Sequence, residues 1–284
     1  DTFGTPAVAS DDGTSTTLDF DKPALAVDSA DGLLLTWADF TGQATGTMPS
    51  LVLGRSADGV TFTRSTIVND QSFGNLAFLC LDRSAGVNAP LYLVHLGANN
   101  TLTLRVSTNR GQSWAASATA VPASQVVWQD PTCVAHGSDV WLAYASGTAP
   151  FSITTDSPGD AVHVVHTGNQ GASFDTPVTA SSAGGSTKYL FPRIARSAAG
   201  KLVLTWYQGV PGAAASLQVA GSTNGTTFTL SPVAQTGTFT LDRTLANWLG
   251  DYTGLTLLGE QALITYAENA NTRAHVAFSK LSPP

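Results

Sequence analysis

The chain has 284 residues, of which 43% are apolar and 12% charged, enough material for a sizeable core in one large domain or two small ones. Thirteen Lys and Arg stand against 20 Asp and Glu for a net charge of −7, with no basic cluster. That excludes a nucleic-acid surface built to neutralise phosphates. No apolar run approaches the ~18 residues of a membrane span, so insertion into a bilayer is not expected.

Helix formers are scarce: two Glu (Glu260 and Glu268), four Lys and one Met. Thr, Ser, Val, Gly and Asn take their place, which favours strands and turns. The expected fold class is all-β. The sequence opens at Asp1 with no initiator Met and no signal-like n- and h-regions, so a mature or excised fragment is expected. The Ser/Thr-rich, Lys/Glu-poor composition points to an extracellular or secreted protein.

In chain order, the predicted strands repeat as units of four. The first unit holds Asp21–Val27, Leu33–Trp37 and Leu51–Gly54. The third shows the pattern most fully, with Asp130–Ala135, Val140–Tyr144, Ala161–Val165 and Thr176–Thr179. The fourth contains Phe191–Ala195 and Leu202–Trp206, and a fifth runs through Gly250–Leu255, Ala262–Tyr266 and His275–Phe278. Four short strands per unit is the composition of a propeller blade.

A turn signature recurs between the later strands of the first four units. It reads Ser56-Ala-Asp-Gly-Val-Thr-Phe62, Ser107-Thr-Asn-Arg-Gly-Gln-Ser-Trp114, Thr167-Gly-Asn-Gln-Gly-Ala-Ser-Phe174 and Ser222-Thr-Asn-Gly-Thr-Thr-Phe228. The closing aromatics are spaced by 52, 60 and 54 residues. Asp or Asn bonds nearby backbone amides, and Gly supplies the positive φ of a tight turn. These segments resemble the Asp-box, the bacterial neuraminidase repeat of sialidases and other secreted propellers. Asp58, Asn109, Asn169 and Asn224 are then structural turn residues.

The fifth unit lacks an outer strand. Thr2–Val8 resembles Ser173–Val178 and falls on period when the chain is wrapped round. The expectation is one domain, 1–284, a five-bladed β-propeller whose ring is closed by the N-terminal strand. Its blades cover approximately 18–68, 74–122, 128–180, 188–236, and 248–284 plus 1–10. Closure hides sheet edges that an open array would expose. Asp-box sialidases usually have six blades, so this chain departs from them in number.

Residues just before each first strand would line the central channel. They are Asp21-Lys22, Asn75, Asp130, Arg193 and Asp251-Tyr252, flanked by Trp128 and Trp248. Lys22, Trp128, Arg193, Trp248 and Tyr252 are candidate ligand-binding residues. Aromatics would stack on a sugar and charged groups would bond its hydroxyls. Asp-Pro before a strand is equally a common turn opening.

Asp21, Asp130 and Asp251 are the candidate carboxylates if the site is hydrolytic. Five-bladed glycosidases generally use a Glu acid, yet Glu260 precedes a second strand and Glu268 follows it. A sialidase would need three arginines. Arg193 is one candidate, with Arg243 and Arg273 remote, and Phe191-Pro-Arg-Ile194 has the letters of the sialidase motif in another order. His163 and His166 read as surface or core residues. No cofactor is expected; a Ca2+ bound at Asp251 or along the channel is possible, although no EF-hand or β-roll spacing occurs. Cys80 and Cys133 occupy matching first-strand positions, where buried free thiols are favoured over a bridge between blades.

Three functions remain open. One is a secreted, monomeric, non-catalytic glycan-recognition propeller. Another is an exo-acting glycoside hydrolase. The third is a protein-interaction scaffold using loops such as Thr41–Ser50 and Gly147–Gly159.

Overall fold

The computed structural model describes residues 7–10, 19–41, 49–68, 77–97, 101–116, 118–122, 126–147, 159–181, 186–210, 214–231, 235–240, 253–270 and 273–284. Five antiparallel sheets form a ring, a five-bladed β-propeller. Sheet one is β1(Phe20–Val27), β2(Leu33–Asp39), β3(Ser50–Ser56) and β4(Thr63–Val68). Sheet two is β5(Phe78–Leu81), β6(Leu91–Leu96), β7(Leu102–Ser107) and β8(Ala118–Val121). Sheet three is β9(Val126–His136), β10(Asp139–Gly147), β11(Ala161–Thr167) and β12(Val178–Thr179). Sheet four is β13(Lys188–Arg196), β14(Leu202–Gly209), β15(Ala214–Ser222) and β16(Thr229–Leu230), with β17(Gln235–Thr240) also on β15. Sheet five is β18(Gly254–Leu258), β19(Gln261–Ala270) and β20(Arg273–Leu281).

Each sheet runs outward from its first strand. Neighbouring first strands pack together: β1 on β5, β5 on β9, β9 on β13, and β13 on β18. Second strands are covered on both faces by flanking sheets, which explains the fully buried Leu-Tyr-Leu-Val-His-Leu of β6. Such strands read as continuous apolar runs because neither face meets water. By contrast β4, at the rim, is largely exposed.

Four apolar clusters sit between sheets, at the seams one–two, two–three, three–four and four–five. The seam between two and three is dense, with Tyr92, Leu104, Leu142, Tyr144 and Val165 all buried. Tyr92 crosses it, donating its hydroxyl to the Gly137 carbonyl at 2.9 Å; burial, helped by Asp139 and Asp82, pushes that phenol up to about 12.

Cys80 on β5 and Cys133 on β9 form a disulfide across this seam, with Cα atoms 5.8 Å apart. The expectation of free thiols is therefore corrected. First strands converge toward the axis, which brings matching positions of neighbouring sheets within bridging range. Glu268 is corrected too: it lies within β19 and does not follow it. The N-terminal strand expected to complete sheet five falls on residues 1–6, outside the described residues. Nearby, the Ser10 carbonyl accepts from Arg64 Nη1 at 3.0 Å.

The four repeat turns share one bonding scheme in two lengths. In the shorter pair, Ser56 and Ser222 hydroxyls accept from Gly59 and Gly225 amides at 2.9 Å. Asp58 accepts from the Val60 and Thr61 amides, and Asn224 from those of Thr226 and Thr227. In the longer pair the hydroxyls of Ser107 and Thr167 accept from Gly111 and Gly171. There Asn109 and Asn169 each bond both the amide and hydroxyl of the following serine, Ser113 or Ser173. The extra residue, Arg110 or Gln170, sits at φ 57° or 58° ahead of a positive-φ glycine. Glycine is needed there for close approach as well, since a Cβ on Gly111 would run into Leu53 of sheet one.

Candidate functional site

Three first strands carry the same local distortion. Lys22, Asp130 and Phe191 each precede a proline and lie at φ 55°, 50° and 52°. The ladder register breaks beside each of them, on one strand or the other. Proline contributes no N–H to a ladder, and its ring pushes the preceding residue toward extended backbone. A left-handed residue in that place is strained, and the ring holds the strain three times. Two of the three residues, Lys22 and Asp130, line a cavity of about 160 Å³ where the first strands meet. Phe191 instead is buried between sheets four and five.

Arg193 closes the back of this cavity. Its Nε donates to the Thr253 carbonyl at 3.0 Å. Its Nη1 donates to the carbonyls of Asp130 at 3.2 Å and Pro192 at 3.1 Å. One buried guanidinium therefore links sheets three, four and five, and Nη2 stands 3.8 Å from Asp130 Oδ2. On the other side, Lys22 Nζ lies 3.9 Å from Asp21 Oδ2. The wall thus carries Lys22, Asp130 and Arg193, with Asp21 standing behind Lys22.

Burial pushes the Asp130 carboxyl above the usual carboxylate range, with Asp21 adding to the effect while Arg193 and Lys22 partly offset it. Burial likewise lowers Arg193, against the pull of Asp130. A buried carboxyl with a raised pKa at a cavity wall is the kind of group that can donate a hydrogen bond or a proton. Phe78, Pro23 and Pro131 supply an apolar face beside it.

Asp21, Lys22, Asp130 and Arg193 thus lie close to one another. Trp128 lies on β9 opposite Ala145, and only its backbone is described. Asn75, Trp248, Asp251 and Tyr252 lie outside the described residues, as does Arg243. Asp58, Asn109, Asn169 and Asn224 sit in the repeat turns, bonded as above. His163 bonds Ser146 Oγ at 2.8 Å and stacks on Tyr144, and burial lowers its pKa. Among the described residues, no group of three or more His, Cys, Asp or Glu is placed to hold a metal ion.

The reading from sequence missed Phe78 and the Thr253 carbonyl. It also missed that Lys22-Pro23, Asp130-Pro131 and Phe191-Pro192 are one repeated device, although the dipeptides themselves were visible. A backbone acceptor such as Thr253 leaves no trace in residue type.

No family model matches the chain, and no curated protein matches it. Solved structures do share the fold. An alpha-L-arabinofuranosidase of Fusarium graminearum, in complex with arabinobiose, superposes with a TM-score of 0.59 at 11% identity, over 94% of this chain and 82% of that one. An ulvan lyase bound to a sulfated glucuronate–rhamnose repeat gives 0.62 at 12% identity, over 92% and 67%. A sialidase from a Hadza microbial source gives 0.57 at 16% identity; it covers 98% of this chain, which spans only 55% of that one. At these identities the likeness establishes the five-bladed propeller class of fold.

Proposed function

We propose that this protein is a glycan-recognition propeller that binds a saccharide at the channel mouth without turning it over. The observation that carries this reading is the mouth itself, where Asp21, Lys22, Asp130 and Arg193 converge beside the apolar face of Phe78. Donors and acceptors around an apolar wall match the hydroxyls and C–H faces of a sugar. Arg193 spends its Nε and Nη1 on backbone carbonyls, so it shapes the site more than it reaches for a ligand. The fold neighbours act on or bind carbohydrate by name, which supports the same class of ligand here. The repeat turns belong in this reading as Asp-boxes.

The Cys80–Cys133 bridge supports an exported protein, because disulfides persist in oxidising compartments. We take the working unit to be a monomer. No helix among the described residues is long and apolar enough to cross a membrane.

One observation favours a second reading, glycoside hydrolysis. The raised pKa of Asp130 suits a general acid, with Asp21 or Asp251 as its partner carboxylate. A glycan array read early and after long incubation separates the two. Stable binding that is weakened at least tenfold in Asp21→Asn and Lys22→Ala supports recognition. Loss of immobilised glycan with time, abolished in Asp130→Asn, replaces it with hydrolysis. No retention of any glycan overturns both.

A further inference from the structure

The opposite end of the propeller holds a second, larger cavity. It measures about 340 Å³, within the range of small-molecule sites, and opens between sheets three and four. His136 on its wall and Asp130 at the mouth are six residues apart on β9, about 20 Å along an extended strand. The two cavities are therefore distinct.

Its centre is Trp141 on β10 and His166 directly opposite on β11. Their rings lie 4.9 Å apart. His166 is gripped from both sides, by Asp175 Oδ2 at 2.7 Å from Nδ1 and by Asp139 Oδ1 at 2.9 Å from Nε2. Arg196 stands over the Trp141 ring, its Cζ 5.7 Å from the centroid. Its Nε is buried with no hydrogen-bond partner, which calls for an acceptor.

At the seam between sheets one and two, the longer repeat turn puts Arg110 onto Asp28, and a cavity of about 280 Å³ lies there beside Arg110, Leu34 and Arg55. The turn facing Trp141 is the shorter kind, with Asn224-Gly225 in that place. A Cβ on Gly225 would stand 3.1 Å from Trp141 Nε1, so glycine keeps side-chain atoms off the indole edge.

We infer that this cavity is a second saccharide site, selective for neutral sugars. Asp139 and Asp175 keep side-chain exposures of 42% and 71%, and a carboxylate retains lone pairs for hydroxyl donors after one contact to His166. Arg196 supplies a donor, while Trp141, Val164 and Val178 supply an apolar floor. Two carboxylates at the entrance repel an anionic sugar, since like charges juxtaposed in a site cost affinity.

The test titrates the full chain with neutral trisaccharides (arabinotriose, xylotriose, cellotriose and chitotriose) and with the anionic trigalacturonate. Imidazole NMR signals of His166 and calorimetry provide the readouts. At least one neutral trisaccharide is expected to shift the His166 signals, with trigalacturonate silent there. The double variant Asp139→Asn/Asp175→Asn should weaken that binding at least tenfold while keeping the circular dichroism of the parent. The milder Arg196→Lys should weaken it less. Asp130→Asn, at the mouth, should leave it unchanged, so failure of the mouth reading and failure of this one are separable. Four silent neutral sugars, binding indifferent to the double variant, or a stronger response to trigalacturonate would each overturn the assignment.

Discussion

The seam between sheets two and three and the seam between sheets five and one are built from the same repeat, yet they differ sharply. The first is filled by Tyr92, Leu142 and Tyr144 and bridged by Cys80–Cys133. It is further tied where Asp82 accepts from the Gly137 amide and meets His136 at 3.1 Å. At the second, the described residues form no apolar cluster, while Leu25, Val276 and Phe278 are 59%, 84% and 62% exposed. A ring of equivalent units does not distribute its stability evenly. Among the described residues, the four seams that the chain crosses continuously each hold an apolar cluster.

That contrast can be broken first at the bridge. Replacing both cysteines by serine should cost about 4 kcal/mol in urea unfolding, because the closed loop spans 53 residues of unfolded-chain freedom. Leu142→Ala, fully buried in the same seam, should cost about 3 kcal/mol. Phe278→Ala on β20 should stay within about 0.5 kcal/mol if the strand remains uncovered.

The closure expected from sequence sharpens the comparison. If residues 1–10 form the outer strand of sheet five, deleting them should lower stability by about 2 kcal/mol and speed amide exchange in β20 before any other strand. Unchanged melting and exchange would show that the ring closes otherwise.

A further effect concerns acid. Burial alone would raise the Asp28 carboxyl, but the amides of Gly32 and Ala30 and the Arg110 guanidinium outweigh it and hold it below the usual range. A depressed folded pKa contributes stability above the unfolded value, about 3.9, and loses it as pH falls through the folded value. Asp28→Asn should therefore melt lower than the parent at pH 7, by about 1 kcal/mol in stability. The gap should shrink toward pH 2.

How far these features could be read from sequence follows the physics of each. The repeat turns were legible because their chemistry is local: Ser56, Asp58 and Gly59 bond within a few residues, as do Thr167, Asn169 and Gly171. The acidic and basic ring at the mouth was legible because it recurs at one phase of the repeat, as Asp21-Lys22 and Asp130 show. The disulfide was legible as a matched pair but not as a bond, since its 5.8 Å depends on how tightly two strands converge. The cavity around His166 was not legible at all. Asp139 and Asp175 lie 27 and nine residues away in sequence, and only the pairing of β10 with β11 and the turn after it bring them onto one imidazole.

Among the described residues every apolar cluster lies between two neighbouring sheets, so each sheet shares its apolar core only with the sheets beside it. Such a molecule behaves like a short one-dimensional array bent into a circle. Cutting the covalent chain at a surface hairpin and joining the old ends would then preserve every seam. Permutants opened between sheets three and four, with termini fused, would fold to the same ring, and their relative stabilities would rank the five joints one by one.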